Sequence, residues 1–173
     1  HAERIAGRIA DKRGRYGKPV VWRRYDTAGF GTGRRIRLGD LTGDGRIDFL
    51  LPRLGGVHKH GIGMLTAMSA DGEVLWRLGE EVPAKEIETS GDGAVQIHDI
   101  DGDGRNEVVC AWGGELCVYE GATGKLKYSA PLPPMKPICP EFKGSINHWG
   151  GGYNDEGPTV VPSSICFADL AGR

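Results

Sequence analysis

Beyond residue 35 the apolar residues fall into short runs broken by glycine- and acid-rich segments, with no helical period. Residues 36–51 read IRLGDLTGDGRIDFLL and residues 95–110 read VQIHDIDGDGRNEVVC. Each is a short apolar strand, an acidic loop containing Gly-Asp-Gly-Arg, and a second apolar strand, with Asp40 matching Asp99 59 residues on. The stretches that follow also match. MLTAMSADGEVLWRLG (64–79) aligns with LCVYEGATGKLKYSAP (116–131) as strand, glycine-containing turn, strand. In the second unit the pattern predicts strands at 94–100, 106–112, 115–120 and 125–130, joined by the acidic loop, Gly113-Gly114 and Gly121–Gly124. TVVPSSICFADLAGR (159–173) opens a third unit, with Asp169 matching Asp99. A helix is expected only over 2–12.

Four antiparallel strands with glycine turns, recurring every 40–60 residues or so, describe β-propeller blades. The fold expected is therefore all-β, with two complete four-stranded blades and the start of a third; a β-sandwich of two similar hairpins is the alternative. The divisions are a basic N-terminal arm with the strand leading in (1–33), one blade with its loop (34–93) and a second blade (94–131). A long Pro/Gly-rich loop (132–157) and the first strand of a truncated third blade (158–173) follow. Propellers have roughly four to eight blades, so the chain reads as a piece whose ring other blades or other chains complete.

The 29 glycines and 10 prolines of the 173 residues suit this turn-rich reading. They show no three-residue period, which excludes collagen, and no apolar run approaches a membrane span. The net charge is −1, which argues against a nucleic-acid-binding chain. Residues 1–24 carry eight basic residues against Glu3 and Asp11, read as a solvated arm with a polyanion-binding tail as the alternative. The chain begins at His1 without a signal peptide, so targeting information is expected to be missing.

The acidic loops supply the candidate chemistry. D-I-D-G-D-G-R-N-E (99–107) sets Asp99, Asp101, Asp103 and Glu107 at loop positions 1, 3, 5 and 9, with the Arg105 carbonyl at position 7. This is the spacing by which a loop wraps a hard cation, and calcium tolerates such a flexible oxygen set better than magnesium. The first loop offers Asp40, Thr42, Asp44, the Arg46 carbonyl and Asp48, one carboxylate fewer, and is expected to bind more weakly. The other reading is a tight turn built from Asp and Gly. In the third loop Ala171 and Arg173 replace acids, so no metal is expected there.

On these residues the chain resembles the FG-GAP or VCBS type of calcium-loop propeller. It is similar in particular to the propeller of rhamnogalacturonan lyases of polysaccharide lyase family eleven. There the acidic loop precedes a hairpin like S-A-D-G-E-V-L-W-R-L-G (69–79) and a second D-x-D-G-D-G loop ending in E-V. The resemblance covers residues 34–131. It implies structural calcium and β-elimination on uronate-containing glycans. It also implies a His-containing stretch ahead of the second unit, where this chain has E-I-E-T-S-G-D-G (86–93). The hairpin at 116–128 is similar to those of quinoprotein-type propellers too, which lack the acidic loops.

Elimination requires a cation at the carboxylate, a base for the C5 proton and an acid for the leaving oxygen. G-V-H-K-H-G (56–61) offers His58, Lys59 and His60, read as a substrate-facing loop, a zinc pair lacking a third ligand, or exposed side chains. I-N-H-W-G-G-G-Y-N-D-E-G (146–157) offers His148 and Tyr153 for catalysis. For glycan contact it offers Asn147, Trp149, Tyr153, Asn154 and Asp155; the alternative is an insertion packed on a neighbouring blade. His98 is expected to be a satisfied core or loop-edge histidine. Trp22, Trp76 and Trp112 are expected in strands, as core. A two-residue Gly113-Gly114 loop sets Cys110 opposite Cys117, as a disulfide or two reduced thiols, and a Cys139–Cys166 pair is left open. Calcium loops of modest affinity suit the calcium level outside cells, so an extracellular or periplasmic setting is expected. The function expected is a calcium-binding propeller portion of a secreted polysaccharide-degrading protein; the alternative is a non-catalytic propeller for adhesion, glycan binding or assembly.

Overall fold

The computed structural model describes residues 2–16, 19–27, 29, 36–55, 58–80, 93–132 and 164–168. Helix α1 (Ala2–Arg15) runs three residues past the expected end. Its described side chains lie in solvent, and Arg15 approaches Asp11 one turn back at 3.7 Å. Such an exposed pair is worth a few tenths of a kcal/mol.

Among the described residues, eight strands follow in two antiparallel four-stranded sheets, each ordered as in the chain. The first holds β1 (Arg37–Gly39), β2 (Asp48–Gly55), β3 (His58–Met68) and β4 (Val74–Gly79). The second holds β5 (Val95–His98), β6 (Glu107–Trp112), β7 (Glu115–Glu120) and β8 (Leu126–Pro131). These match the strands expected in the second unit to within a few residues at each end. The β6–β7 connection is the two-residue loop expected. Gly113 (φ 62°) and Gly114 (φ 85°) both adopt the left-handed conformation that a tight right-twisted hairpin demands. That register sets Cys110 opposite Cys117, and both are buried free thiols.

Period-two alternation sorts the side chains. Leu50 and Leu54 of β2, Leu65 and Ala67 of β3 and Trp76 of β4 face the second sheet, meeting Val95, Val108, Cys110 and Cys117 in one core. The opposite face of the first sheet buries Leu51, Met64 and Met68 beneath Tyr25. β2 and β3 are therefore covered on both sides, which explains their nearly unbroken apolar runs.

Backbone contacts lock the sheets together. Trp76 of β4 donates its indole N–H to the Gly121 carbonyl at 2.7 Å, and Asn106 donates its amide to the Asp40 carbonyl at 2.8 Å. The leading strands lie beside one another: Arg37 Nε donates to the Val95 carbonyl at 2.8 Å. The same contact recurs one unit later, where Gln96 Nε2 donates to the Ile165 carbonyl at 3.1 Å. Arg37 and Gln96 stand at matching places in the aligned sequences 36–51 and 95–110, and Val95 and Ile165 in those of 95–110 and 159–173. A second contact recurs with them. Gly39 abuts Ile97 so closely that a Cβ would stand 2.7 Å from its side chain. At the equivalent place His98 stacks on Phe167 with ring centroids 4.4 Å apart.

Two expectations require correction. Trp22 lies outside the strands and is 72 % exposed, with the Arg23 guanidinium 5.1 Å from its ring centre. Val20 and Val21 beside it are exposed as well, and this stretch joins neither sheet. Trp76 is buried and Trp112 partly so, as expected. The hairpins also fail to align without a gap. Met68 pairs with Val74, whereas Tyr119 pairs with Leu126, so the second connection is one residue longer.

Candidate metal centre

Both acidic loops link a leading strand to the next, and both fold by the same hydrogen bonds. Asp40 Oδ1 accepts the backbone N–H groups of Gly43 (2.6 Å) and Asp44 (3.1 Å), and its Oδ2 accepts that of Gly45 (2.8 Å). Asp99 repeats this with Gly102 (2.8 Å), Asp103 (3.1 Å) and Gly104 (2.9 Å). The loops can turn this tightly because Gly43, Gly45, Gly102 and Gly104 all take positive φ near 80°. Burial works against the charge on Asp40, but the three N–H donors outweigh it and hold its pKa below the usual carboxylate value.

The fifth position repeats as well. Asp44 Oδ1 accepts the N–H of Arg46, and Asp103 Oδ1 accepts that of Arg105, each at 2.8 Å. The last acid of each loop opens a strand and is buried, Asp48 and Glu107 each at 1 % exposure. Asp48 Oδ2 accepts the N–H groups of Leu41 (2.9 Å) and Thr42 (3.1 Å) and the Thr42 hydroxyl (3.2 Å). Glu107 Oε2 accepts the N–H of Ile100 at 3.1 Å.

The loops differ in what neutralises them. In the second, Lys127 Nζ donates to Asp101 Oδ2 and to Glu107 Oε1, each at 2.8 Å. Asp101 first, and Glu107 with it, raise the pKa of Lys127, and the ammonium lowers that of Asp101. A buried Glu107 carboxylate without such a partner would cost about 3–5 kcal/mol. In the first loop the Arg46 guanidinium turns away to Asp71 at 2.8 Å.

Asp99, Asp101 and Glu107 each offer a carboxylate oxygen within 4.8 Å of the others. Three hard oxygen donors so close together could hold a metal cation. Among the described residues, the acids of the first loop form no such group, and Asp103 is not part of the second. The Arg105 residue closes the second loop through its own N–H rather than its side chain.

His58, Lys59 and His60 open β3, with His58 paired to Gly55, and their side chains lie outside what the structure describes. Asn147, His148, Trp149, Tyr153, Asn154 and Asp155 lie outside the described residues, as do Asp169, Cys139 and most of 86–93. His98 is exposed at the edge of the second loop. The residue that sequence reasoning missed is Lys127. Its signal was a lysine in an otherwise apolar and polar-neutral hairpin strand, at the place where the first unit has Leu75. No protein-family model matches this chain, and no curated protein or solved structure does either.

Proposed function

We propose that this chain is the calcium-binding β-propeller portion of a secreted polysaccharide-degrading protein similar to rhamnogalacturonan lyases. The observation that carries the propeller is the recurrence of one contact set between successive leading strands. Arg37 on Val95 is followed by Gln96 on Ile165, and Gly39 on Ile97 by His98 on Phe167. Rotation about a common axis regenerates such contacts from blade to blade, whereas the two sheets of a sandwich meet only once. Two sheets do not close a ring, so further blades or other chains complete it.

Calcium is supported by the donor set of Asp99, Asp101 and Glu107 and by the matching fold of both loops. The glycan and the elimination chemistry rest on the family resemblance, with the 146–157 loop as the sugar-facing segment. The test is incubation of the full-length protein with uronate polysaccharides in calcium, following the absorbance of unsaturated products. Product formation supports the lyase; its absence refutes catalysis. Chelation should lower the melting temperature, and an unchanged melt refutes the calcium assignment.

A second reading, a non-catalytic propeller for extracellular adhesion, glycan binding or assembly, is favoured by one observation. The first carboxylate of each loop, Asp40 and Asp99, is spent on the loop's own N–H groups, which is a scaffolding use. Under this reading chelation still lowers the melting temperature while no polysaccharide is cleaved.

A further inference from the structure

We propose that Lys127 is a tethered cation that competes with a divalent ion for the second acidic loop, making this loop a weaker calcium site than its four acids suggest. The proposal rests on the calcium reading of the loops and assigns one residue the control of their affinity.

The position of Lys127 is set by the backbone. Val118 pairs with Tyr128 and Tyr119 with Leu126, so Lys127 is the unpaired residue of a β-bulge. A bulge re-aims its extra side chain, here toward the acidic loop. The first hairpin has its bulge at the equivalent place, between Ala67 and Met68, where Leu75 is the residue skipped. Leu75 packs against the core. One bulge thus carries an apolar side chain in the first unit and an ammonium in the second.

That ammonium touches two of the three acids a divalent ion needs, Asp101 and Glu107, at 2.8 Å each. An ion bound to the same oxygens and the ammonium at hydrogen-bond distance from them cannot both be accommodated. Calcium must first displace Lys127 from both. In the absence of metal, Lys127 supplies the positive charge that the buried Glu107 requires. The larger number of carboxylates in the second loop is therefore offset by a cation built into the chain.

Calcium titration of the full chain, followed by NMR, resolves the loops through the amides of Gly102 and Gly104 in the second and Gly43 and Gly45 in the first. Lys127→Met should lower the calcium midpoint of Gly102 and Gly104 by roughly ten- to a hundredfold, the weight of about one charge-assisted hydrogen bond, since solvent screens the partly exposed ammonium. Lys127→Arg should keep the wild-type midpoint. Without calcium, Lys127→Met should melt below wild type, and calcium should restore it. The wild-type protein gives a readout free of any variant: the Lys127 side-chain ammonium resonances should move with the same midpoint as Gly102. An unchanged midpoint in Lys127→Met, or a Lys127 resonance indifferent to calcium while Gly102 responds, overturns the proposal alone. Amides of neither loop responding in any variant overturns the calcium reading itself.

Discussion

Replacing Trp76 with phenylalanine probes the joint between the two sheets. The indole sits on β4 of the first sheet, is 8 % exposed, and donates to the Gly121 carbonyl in the β7–β8 connection at 2.7 Å. Phenylalanine keeps most of the apolar contact but has no donor. The Gly121 carbonyl, itself in a buried residue, loses its partner at a cost of about 1–3 kcal/mol. The smaller ring leaves a void worth about 1 kcal/mol more. Together these amount to about 2–4 kcal/mol, or a fall in melting temperature of roughly 4–16 °C for a chain of this size. Urea unfolding followed by circular dichroism measures the difference, since the substitution itself alters the tryptophan fluorescence. The slope of the transition should stay the same while the midpoint falls. A loss under about 1 kcal/mol would refute the reasoning, because the sheets would then be held together without this hydrogen bond.

Three other outcomes are expected. Gly124→Ala should destabilise more than Gly113→Ala: both residues have positive φ, but a Cβ on Gly124 would stand 2.7 Å from the Trp76 ring while one on Gly113 meets nothing. Differential scanning calorimetry of the two variants decides this, and equal losses would remove Trp76 from the explanation. Asp71 should titrate at about 2, held down first by Arg46 and then by Arg23. A depressed carboxylate adds stability above its unperturbed pKa of 3.8 and loses it as pH falls toward 2. Carbon-13 titration checks this, and Arg46→Gln should move the midpoint back up. Alkylation at pH 8 should modify the exposed Cys166 in the native chain, whereas Cys110, whose thiol burial pushes up to about 12, and the buried Cys117 should react only in denaturant. Mass spectrometry reads the outcome, and modification of Cys110 in the native chain contradicts its burial.

Much of the local structure was legible in the sequence because its causes are local. The acids at 40, 44 and 48 and at 99, 101, 103 and 107 come with glycines at the positions where the loop must take positive φ, so composition and conformation are one signal. The Gly-Gly turn set Cys110 against Cys117 for the same reason. Trp22 was misread because a large aromatic suggests burial by its type, whereas its exposure depends on what the rest of the chain brings over it. The ranking of the loops by their acids failed to anticipate Lys127 for a similar reason. Charge counted along a loop omits a cation that lies 20 residues beyond Glu107.

By itself, then, the sequence determined the strands of the second unit, the Gly113-Gly114 turn with the Cys110–Cys117 pairing it sets, and the acids of both loops, since each depends on residues a few positions apart. Only the tertiary structure decided which sheet face is buried against which, the recurrence of contacts from Arg37 and Val95 to Gln96 and Ile165, and the arrival of Lys127 at Asp101 and Glu107. Those outcomes depend on side chains converging from distant strands. A one-residue difference in the second hairpin shifts its pairing, and a bulge turns one side chain toward the loop; neither effect is encoded in any short window of the chain.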